Sequence, residues 1–499
     1  MSLLVLPILI PLLAGVCAFF CGRRRLWQAC VSVGASVLQL GACGMLFSTV
    51  RQSGIQAEQM GAWPAPFGIT LAADHLSAVM LLITAIIGLA ANIYALADID
   101  RRYQALGFHT LYQILIAAIS GAFLTGDLFN LYVWFEVMLM ASFGLLVMGG
   151  EPHQLDGGVK YVTLNLIATL MFITGLGLLY ALTGTLNMAH LYTKVQAVEN
   201  PALVTSVAML FIMAFGLKAG AFPLFFWLPA SYHTPPPAIA AVFSGLLTKV
   251  GVYALIRAFT LIFTQDTAAT HGLILIMACL TMVVGVLGAA VQNAFRRILA
   301  FHIISQVGYM ILGLGLYTRL ALAGAVFYLI HHIIVKANLF LISGLVSKIY
   351  GHDDLKHLGD LYRRSGLLAV LFIIPAFSLA GFPPLSGFWA KFVLIQASLE
   401  KGAYLAAALA LLVGLLTVYS MTKIWIAVFW EPQPEAGKPA PPGAEIAIGI
   451  PLLAPVMMLA AMTVVIGLGA QPLMEVALAA ADELLAPQRY VQAVMGEGP

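Results

Sequence analysis

The sequence predicts an all-α polytopic membrane bundle, and three observations predict it. Of 499 residues, 62% are hydrophobic and 9% charged, at a mean hydropathy of +0.98. The apolar residues gather into about fourteen segments of spanning length, and two of these are broken by proline. In hydrocarbon every backbone N–H and C=O must be bonded within the protein, so such segments are helices rather than strands. A water-soluble chain carries about a quarter charged residues; 24 Lys+Arg and 21 Asp+Glu are too few to coat a wet surface. Soluble enzymes and nucleic-acid binders are thereby excluded, and a net charge of +3 implies no anionic partner.

The first segment, 2 to 21, is apolar up to Arg23, Arg24 and Arg25 and has no basic stretch before it, so it reads as a retained span. Further spans are expected near 27 to 50, 74 to 97, 107 to 125, 127 to 149, 159 to 183, 202 to 230 and 237 to 263. The remaining six lie near 271 to 292, 298 to 316, 321 to 347, 366 to 398, 403 to 430 and 445 to 469, and the tail from Gln471 reads as amphipathic or disordered. Segments 202 to 230 and 366 to 398 are overlong and interrupted, at Pro223 and at Pro383 and Pro384. The breaks resemble each other, AGAFP against LAGFPP, and each precedes a helix containing GLLT, at 245 to 248 and 414 to 417. Paired interrupted helices point to a transporter of two repeats with its site near the breaks. Chance likeness in a chain rich in Gly, Leu and Phe is the competing reading.

Five cysteines, Cys17, Cys21, Cys30, Cys43 and Cys279, form no CxxC pair, and the eleven histidines are scattered. No metal site and no cofactor are expected. Alternate loops differ in cations. The odd loops hold 13 Lys and Arg, including Arg23, Arg101, Arg296 and Lys438, whereas the even loops and the tail hold 5. The positive-inside rule puts the odd loops in the cytoplasm and both termini on the outer side of the membrane.

Six cations belong to no loop: Lys218, Lys249, Arg257, Lys336, Lys391 and Lys423. Arg257 and Lys423 lie near helix ends, where snorkelling to the interface is the plain reading. The other four lysines and Glu136 lie near mid-span or beside the breaks. At roughly 2.5 to 3.5 kcal/mol each, the four lysines cost on the order of 10 to 14 kcal/mol, comparable with the stability of a whole domain. One carboxylate cannot neutralise four ammonium groups. Burial disfavours a charged ammonium, so buried lysines can exchange protons near neutral pH. A series of them reads as a proton relay, with Glu136 and Lys218 as partners. His332 lies one helical turn before Lys336 and, with His331, suits proton exchange; a hydrated but non-titrating role is the alternative. His302, near the start of its span, reads as interfacial. Na⁺ needs several hard oxygen ligands, and only Glu136, with Asp74 and Asp127 at helix ends, offers carboxylate.

FNLYVWFEVMLMASFG around Glu136, GLKAGAFPLFFWLPASYHTPPP around Lys218, GLLTKVGVYALIR around Lys249, HHIIVKANLF around Lys336 and AGFPPLSGFWAKF around Lys391 resemble the antiporter-like subunits shared by respiratory complex I, membrane-bound hydrogenases and Mrp cation/proton antiporters. The resemblance runs over roughly 70 to 430 and is nearest to the D-type subunit of Mrp complexes. It implies helices 1–3 over 1–106, two inverted five-helix repeats over 107–264 and 265–430, and helix 14 with the tail over 431–499. It further implies Glu136 and Lys218 as the interacting pair, Lys249 as connector, Lys336 as the central lysine of the second half and Lys391 as terminal exit. Some relatives carry a carboxylate at that last position, which leaves the direction of proton release there open. Other membrane subunits are the implied partners, with H⁺ and Na⁺ as transported ions.

Three readings compete with a proton-translocating antiporter subunit: a proton-pumping subunit of complex I or a hydrogenase, an autonomous carrier of a small organic anion, and a scaffold.

Overall fold

The computed structural model describes residues 2–22, 24–432 and 448–496. Arg23, Lys438 and the first residues of the last expected span lie outside the described residues. Helices α1 (Leu6–Phe20), α2 (Arg25–Ser53) and α3 (His75–Asp98) come first, with a ribbon of β1 (Gln56–Gln59) and β2 (Thr70–Ala73) between α2 and α3. Then follow α4 (Phe108–Leu124), α5 (Leu128–Val147), α6 (Pro152–Thr183), the short α7 (Met188–Gln196), α8 (Pro201–Ala219) and the stub α9 (Trp227–Ser231). The span α10 (Pro237–Leu261) contains a π-turn, Phe243–Leu247. After it come α11 (Thr267–Val291), α12 (Phe295–Leu316), α13 (Arg319–Tyr350), α14 (Gly366–Ala380), α15 (Ser386–Glu400), α16 (Tyr404–Trp425), α17 (Ile450–Leu468), α18 (Ala470–Leu485) and α19 (Pro487–Met495). Among the described residues 11 helices are long and apolar enough to cross a membrane, and α1, α4 and α14 are shorter apolar helices.

Local chemistry sets the boundaries. Asp74 caps α3 by accepting from Ser77 N at 2.8 Å, Asp127 caps α5 from Asn130 N at 2.8 Å, and Thr318 caps α13 from Ala321 N at 3.2 Å. Helices α6, α8, α13 and α14 stop at Gly184, Gly220, Gly351 and Gly381, each left-handed.

Burial sorts the helices into an inner and an outer set. The apolar windows of α10 and α13 are 100% buried, against 39% for α2, α6, α16 and α17. Helix α13 is the hub, packed against α3, α10, α12, α14, α15, α17 and α18.

One element was not expected, one reading is narrowed and two are overturned. The β1–β2 ribbon, paired antiparallel with Gln56 opposite Ala73, was not foreseen, because four-residue strands in a Pro/Gly-containing loop carry no alternating pattern. Of the two readings of the tail, the amphipathic one holds over the described residues: α18 and α19 dock on one end of the bundle through Arg319 to Asp482 at 2.6 Å, His75 to Glu483 at 2.8 Å and Gln488 to Tyr192 at 2.8 Å. Arg257 does not snorkel. It is buried and paired with Asp74 at 2.6 Å, under the ring of Tyr490. His302 is not interfacial but fully buried.

Of three isolated bridges among the described residues, one joins Leu71 to Thr125 and the other two stand at opposite ends of the bundle. Asp127 pairs with Asn187 beside the ribbon and the tail helices, and Ala294 pairs with Asp354 where Arg296 meets Pro235. Both ends of the Ala294–Asp354 bridge lie 167 residues beyond those of the Asp127–Asn187 bridge.

Candidate functional site

The first break follows Lys218, in the last turn of α8. Gly220 N and Ala221 N close onto Leu217 O and Gly216 O, and Trp227 Nε1 donates to Leu217 O at 3.0 Å, so the interruption leaves few orphaned groups. Phe222 N donates to Thr281 Oγ1 on α11 at 3.0 Å. Lys218 is buried, with its ammonium 5.0 Å from the Phe135 ring centroid. Its Nζ donates to Thr169 Oγ1 at 3.2 Å, and Thr169 Oγ1 donates to Glu136 Oε1 at 2.6 Å. Glu136, half-buried on α5, therefore meets Lys218 through a hydroxyl, and no direct ion pair joins them among the described residues.

Helix α10 lies directly on that break. A Cβ at Gly251 would sit 2.6 Å from Ala219 N and 2.8 Å from Lys218 C, so glycine is what lets the two backbones touch. Two residues earlier Lys249, fully buried, donates from Nζ to Ser244 O at 2.5 Å, inside the π-turn. π-turns loosen the helical ladder and recur at functional positions. GLLT at 245 to 248 thus straddles a π-turn, whereas GLLT at 414 to 417 is plain helix and a π-turn follows later, at Ile426–Trp430.

Across the α10–α13 contact, His332 lies within electrostatic reach of Lys249, Lys336, His331 and His302. Lys336 Nζ donates to Leu299 O on α12 at 3.0 Å. His331 Nδ1 lies 2.8 Å from Ser386 Oγ, which is 3.1 Å from Ser378 Oγ, so the imidazole is tied to the second break. Lys391 Nζ donates to Ala380 O at 3.0 Å and stands 5.1 Å from the Tyr309 ring centroid. Tyr309 stacks on Tyr328 at 5.1 Å, and the Tyr328 hydroxyl bonds Gln306 Oε1.

Both ring nitrogens of His302 and His332, Nε2 of His331, Nε2 of Gln306, Oγ1 of Thr248 and the whole Asn338 amide are buried without a protein hydrogen-bond partner among the described residues. These atoms fall on α10 and α13, which carry Lys249 and Lys336, and on α12, whose Leu299 carbonyl accepts from Lys336.

Of the sequence-predicted residues, Glu136 and Lys218 come together through Thr169, while Lys249, His332 and Lys336 gather at the α10–α13 contact. His331 and Lys391 meet the second break. Lys423 does not join them: its Nζ donates to Ala290 O at 3.2 Å and Gln292 O at 2.7 Å, the carbonyl end of α11, where a cation suits the helix dipole. Sequence reasoning missed Thr169, His302 and the Ser378–Ser386 pair. For Thr169 there was a signal: Tyr161, Asn165 and Thr169 recur every fourth residue on α6 and are its buried polar stripe. No group of three or more His, Cys, Asp or Glu that could hold a metal ion occurs among the described residues.

Comparison with known proteins shows what the chain as a whole is similar to. The family model described as NADH:quinone oxidoreductase/Mrp antiporter, transmembrane, matches residues 125–420. The D-type subunit of the Na⁺/H⁺ antiporter of Alkalihalophilus pseudofirmus is 47% identical over 496 residues, covering 99% of this chain and 100% of the relative. In the solved structure of the Mrp complex from Dietzia sp., one chain aligns at a TM-score of 0.91 with 34% identity over 99% of both chains. A chain of the membrane-bound sulfane sulfur reductase, an archaeal respiratory membrane complex, aligns at 0.89 with 27% identity over 99% of this chain and 100% of that one.

Proposed function

The chain belongs to the NADH:quinone oxidoreductase/Mrp antiporter family, and from that premise we propose that it is the proton-translocating subunit of a multi-subunit Na⁺/H⁺ antiporter in a bacterial inner membrane. It is a transporter subunit rather than an enzyme. One observation carries the proton path: among the described residues four buried lysines each give a single hydrogen bond to protein, Lys218 to Thr169, Lys249 to Ser244, Lys336 to Leu299 and Lys391 to Ala380. An ammonium has three donors. The rest, and the unpartnered imidazole nitrogens, can be satisfied inside the bundle only by water. Ammonium, imidazole and water in alternation form a medium that passes protons.

In this reading Glu136 and Lys218 load the path and Lys249 carries charge across the α10–α13 contact. His332 and Lys336 continue it, and His331 and Lys391 deliver it at the second break, while Lys423 is an anchor outside the route. The chain divides into 1–106, two inverted repeats over 107–264 and 265–430, and 431–499. The bridges at opposite ends of the bundle, a constant 167 residues apart, support the inversion. The excess of cations on the odd loops supports a cytoplasmic position for them and outward-facing termini. The likeness to a respiratory membrane complex favours a second reading, a redox-driven proton pump, and iron–sulfur proteins encoded beside this chain would select it.

The test is Na⁺-driven H⁺ flux in vesicles holding the whole complex. Glu136→Ala and Lys218→Ala are expected to assemble and to lose flux by about 100-fold or more. Wild-type flux in either variant overturns the reading.

A further inference from the structure

The hydroxyl between Glu136 and Lys218 is placed unusually for a helical threonine. Thr84, Thr174, Thr260, Thr281 and Thr417 each donate to the carbonyl four residues earlier in their own helix. That bond competes for the Oγ1 rotamer wherever threonine is helical. Thr169 instead turns its hydroxyl hydrogen to Glu136 Oε1 at 2.6 Å and offers its lone pair to Lys218 Nζ at 3.2 Å. Its neighbour on the same stripe, Asn165, bonds its own helix at Tyr161 O, 2.9 Å away.

We propose that Thr169 is the proton-transfer bridge of the first half: its hydroxyl passes a proton between Lys218 and Glu136, and rotation of its side chain onto its own helix opens and closes that step. The inference rests on the proton-path reading above and adds a residue to it. In the forward step the Nζ–H bond of Lys218 breaks as an O–H bond forms on Thr169 Oγ1. The original Thr169 O–H bond breaks as an O–H bond forms on Glu136 Oε1. Threonine is regenerated, and the charged pair has become neutral amine and neutral acid. Reversal restores both charges. When the side chain turns so that Oγ1 donates to the Asn165 carbonyl, Lys218 and Glu136 lose their connection and hold their protons. The short donor–acceptor distance to the carboxylate suits transfer in the present rotamer.

The experiment is Na⁺-driven H⁺ flux of the assembled complex carrying Thr169→Ser, Thr169→Ala or Thr169→Val. Serine keeps the hydroxyl and is expected to retain about half the flux or more; alanine leaves room for one water and should lose about 3-fold; valine keeps the shape but excludes both, and should lose about 10-fold or more. A packing role predicts the reverse, since valine preserves volume best. Valine at or above alanine overturns the proposal. Should the valine variant fail to assemble, serine against alanine decides, and equal flux in those two overturns it. Glu136→Gln in the same assay separates the levels. If that variant is silent, the proton-path reading fails; if it is dead while Thr169→Val is normal, only the bridge fails.

Discussion

The two breaks share a backbone and differ in where they put their lysine. Both end in a left-handed glycine, and matching bonds close them: Ala221 N to Gly216 O in the first, Phe382 N to Phe377 O in the second. At the first, Lys218 stands on the helix leading in and reaches away from the break, to a hydroxyl on α6 and through it to an acid on α5. At the second, Lys391 stands on the helix leading out and folds back onto the break's own carbonyl, Ala380 O. One scaffold therefore links one lysine to an acid through a hydroxyl and sets the other against a helix C-terminal carbonyl. The first has a carboxylate one hydroxyl away, whereas the second meets a carbonyl and an aromatic face, with His331 on the neighbouring helix tied to the same break. On the proposed proton path, the difference gives the first half a lysine and an acid joined by a hydroxyl and the second a lysine without a carboxylate.

The comparison breaks most decisively at Lys391. Lys391→Ala is expected to block exchange in the second half, lowering steady-state flux by about 100-fold while the complex assembles. A pH-dye measurement of proton uptake in a single turnover should still detect loading at Glu136, and undiminished turnover would remove Lys391 from the path.

Gly387→Ala sharpens the comparison from the packing side. The added Cβ would collide with Ser378 O and sit 2.8 Å from His331 Cε1, so α14 and α15 must part and the Ser386–His331 bond must stretch. A loss of about 1 to 3 kcal/mol in thermal unfolding of the complex is expected, with flux reduced further. Gly251→Ala tests the contact between the first break and α10, where its Cβ meets the Lys218–Ala219 backbone. It should weaken flux more than it weakens assembly, because the spacing of Lys218 and Lys249 is what it changes. Flux that tracks the amount assembled would show the contact to be packing alone.

The smallest effect belongs to Lys423→Ala, which removes a cation from the carbonyl end of α11 and should leave flux within about 2-fold of wild type. Complete loss would move Lys423 into the path.

Composition and periodicity alone determined the membrane class, the helical character, the proline breaks and the identity of the ionisable groups. The reason is that lipid admits so few solutions that each buried charge announces itself against an apolar background. The partners of those charges were decided only by tertiary structure. Arg257 reads along the chain as a helix-end cation, yet Asp74, far away in sequence, holds it inside. His302 looks terminal on its own helix, but α12 is covered over most of its length. Thr169 is one threonine among many until α5, α6 and α8 bring Glu136 and Lys218 to either side of it. A hydrogen bond depends on position to within a few tenths of an ångström, and that precision comes from helices packed across the chain, through contacts such as Gly251 against the first break, which no local pattern encodes.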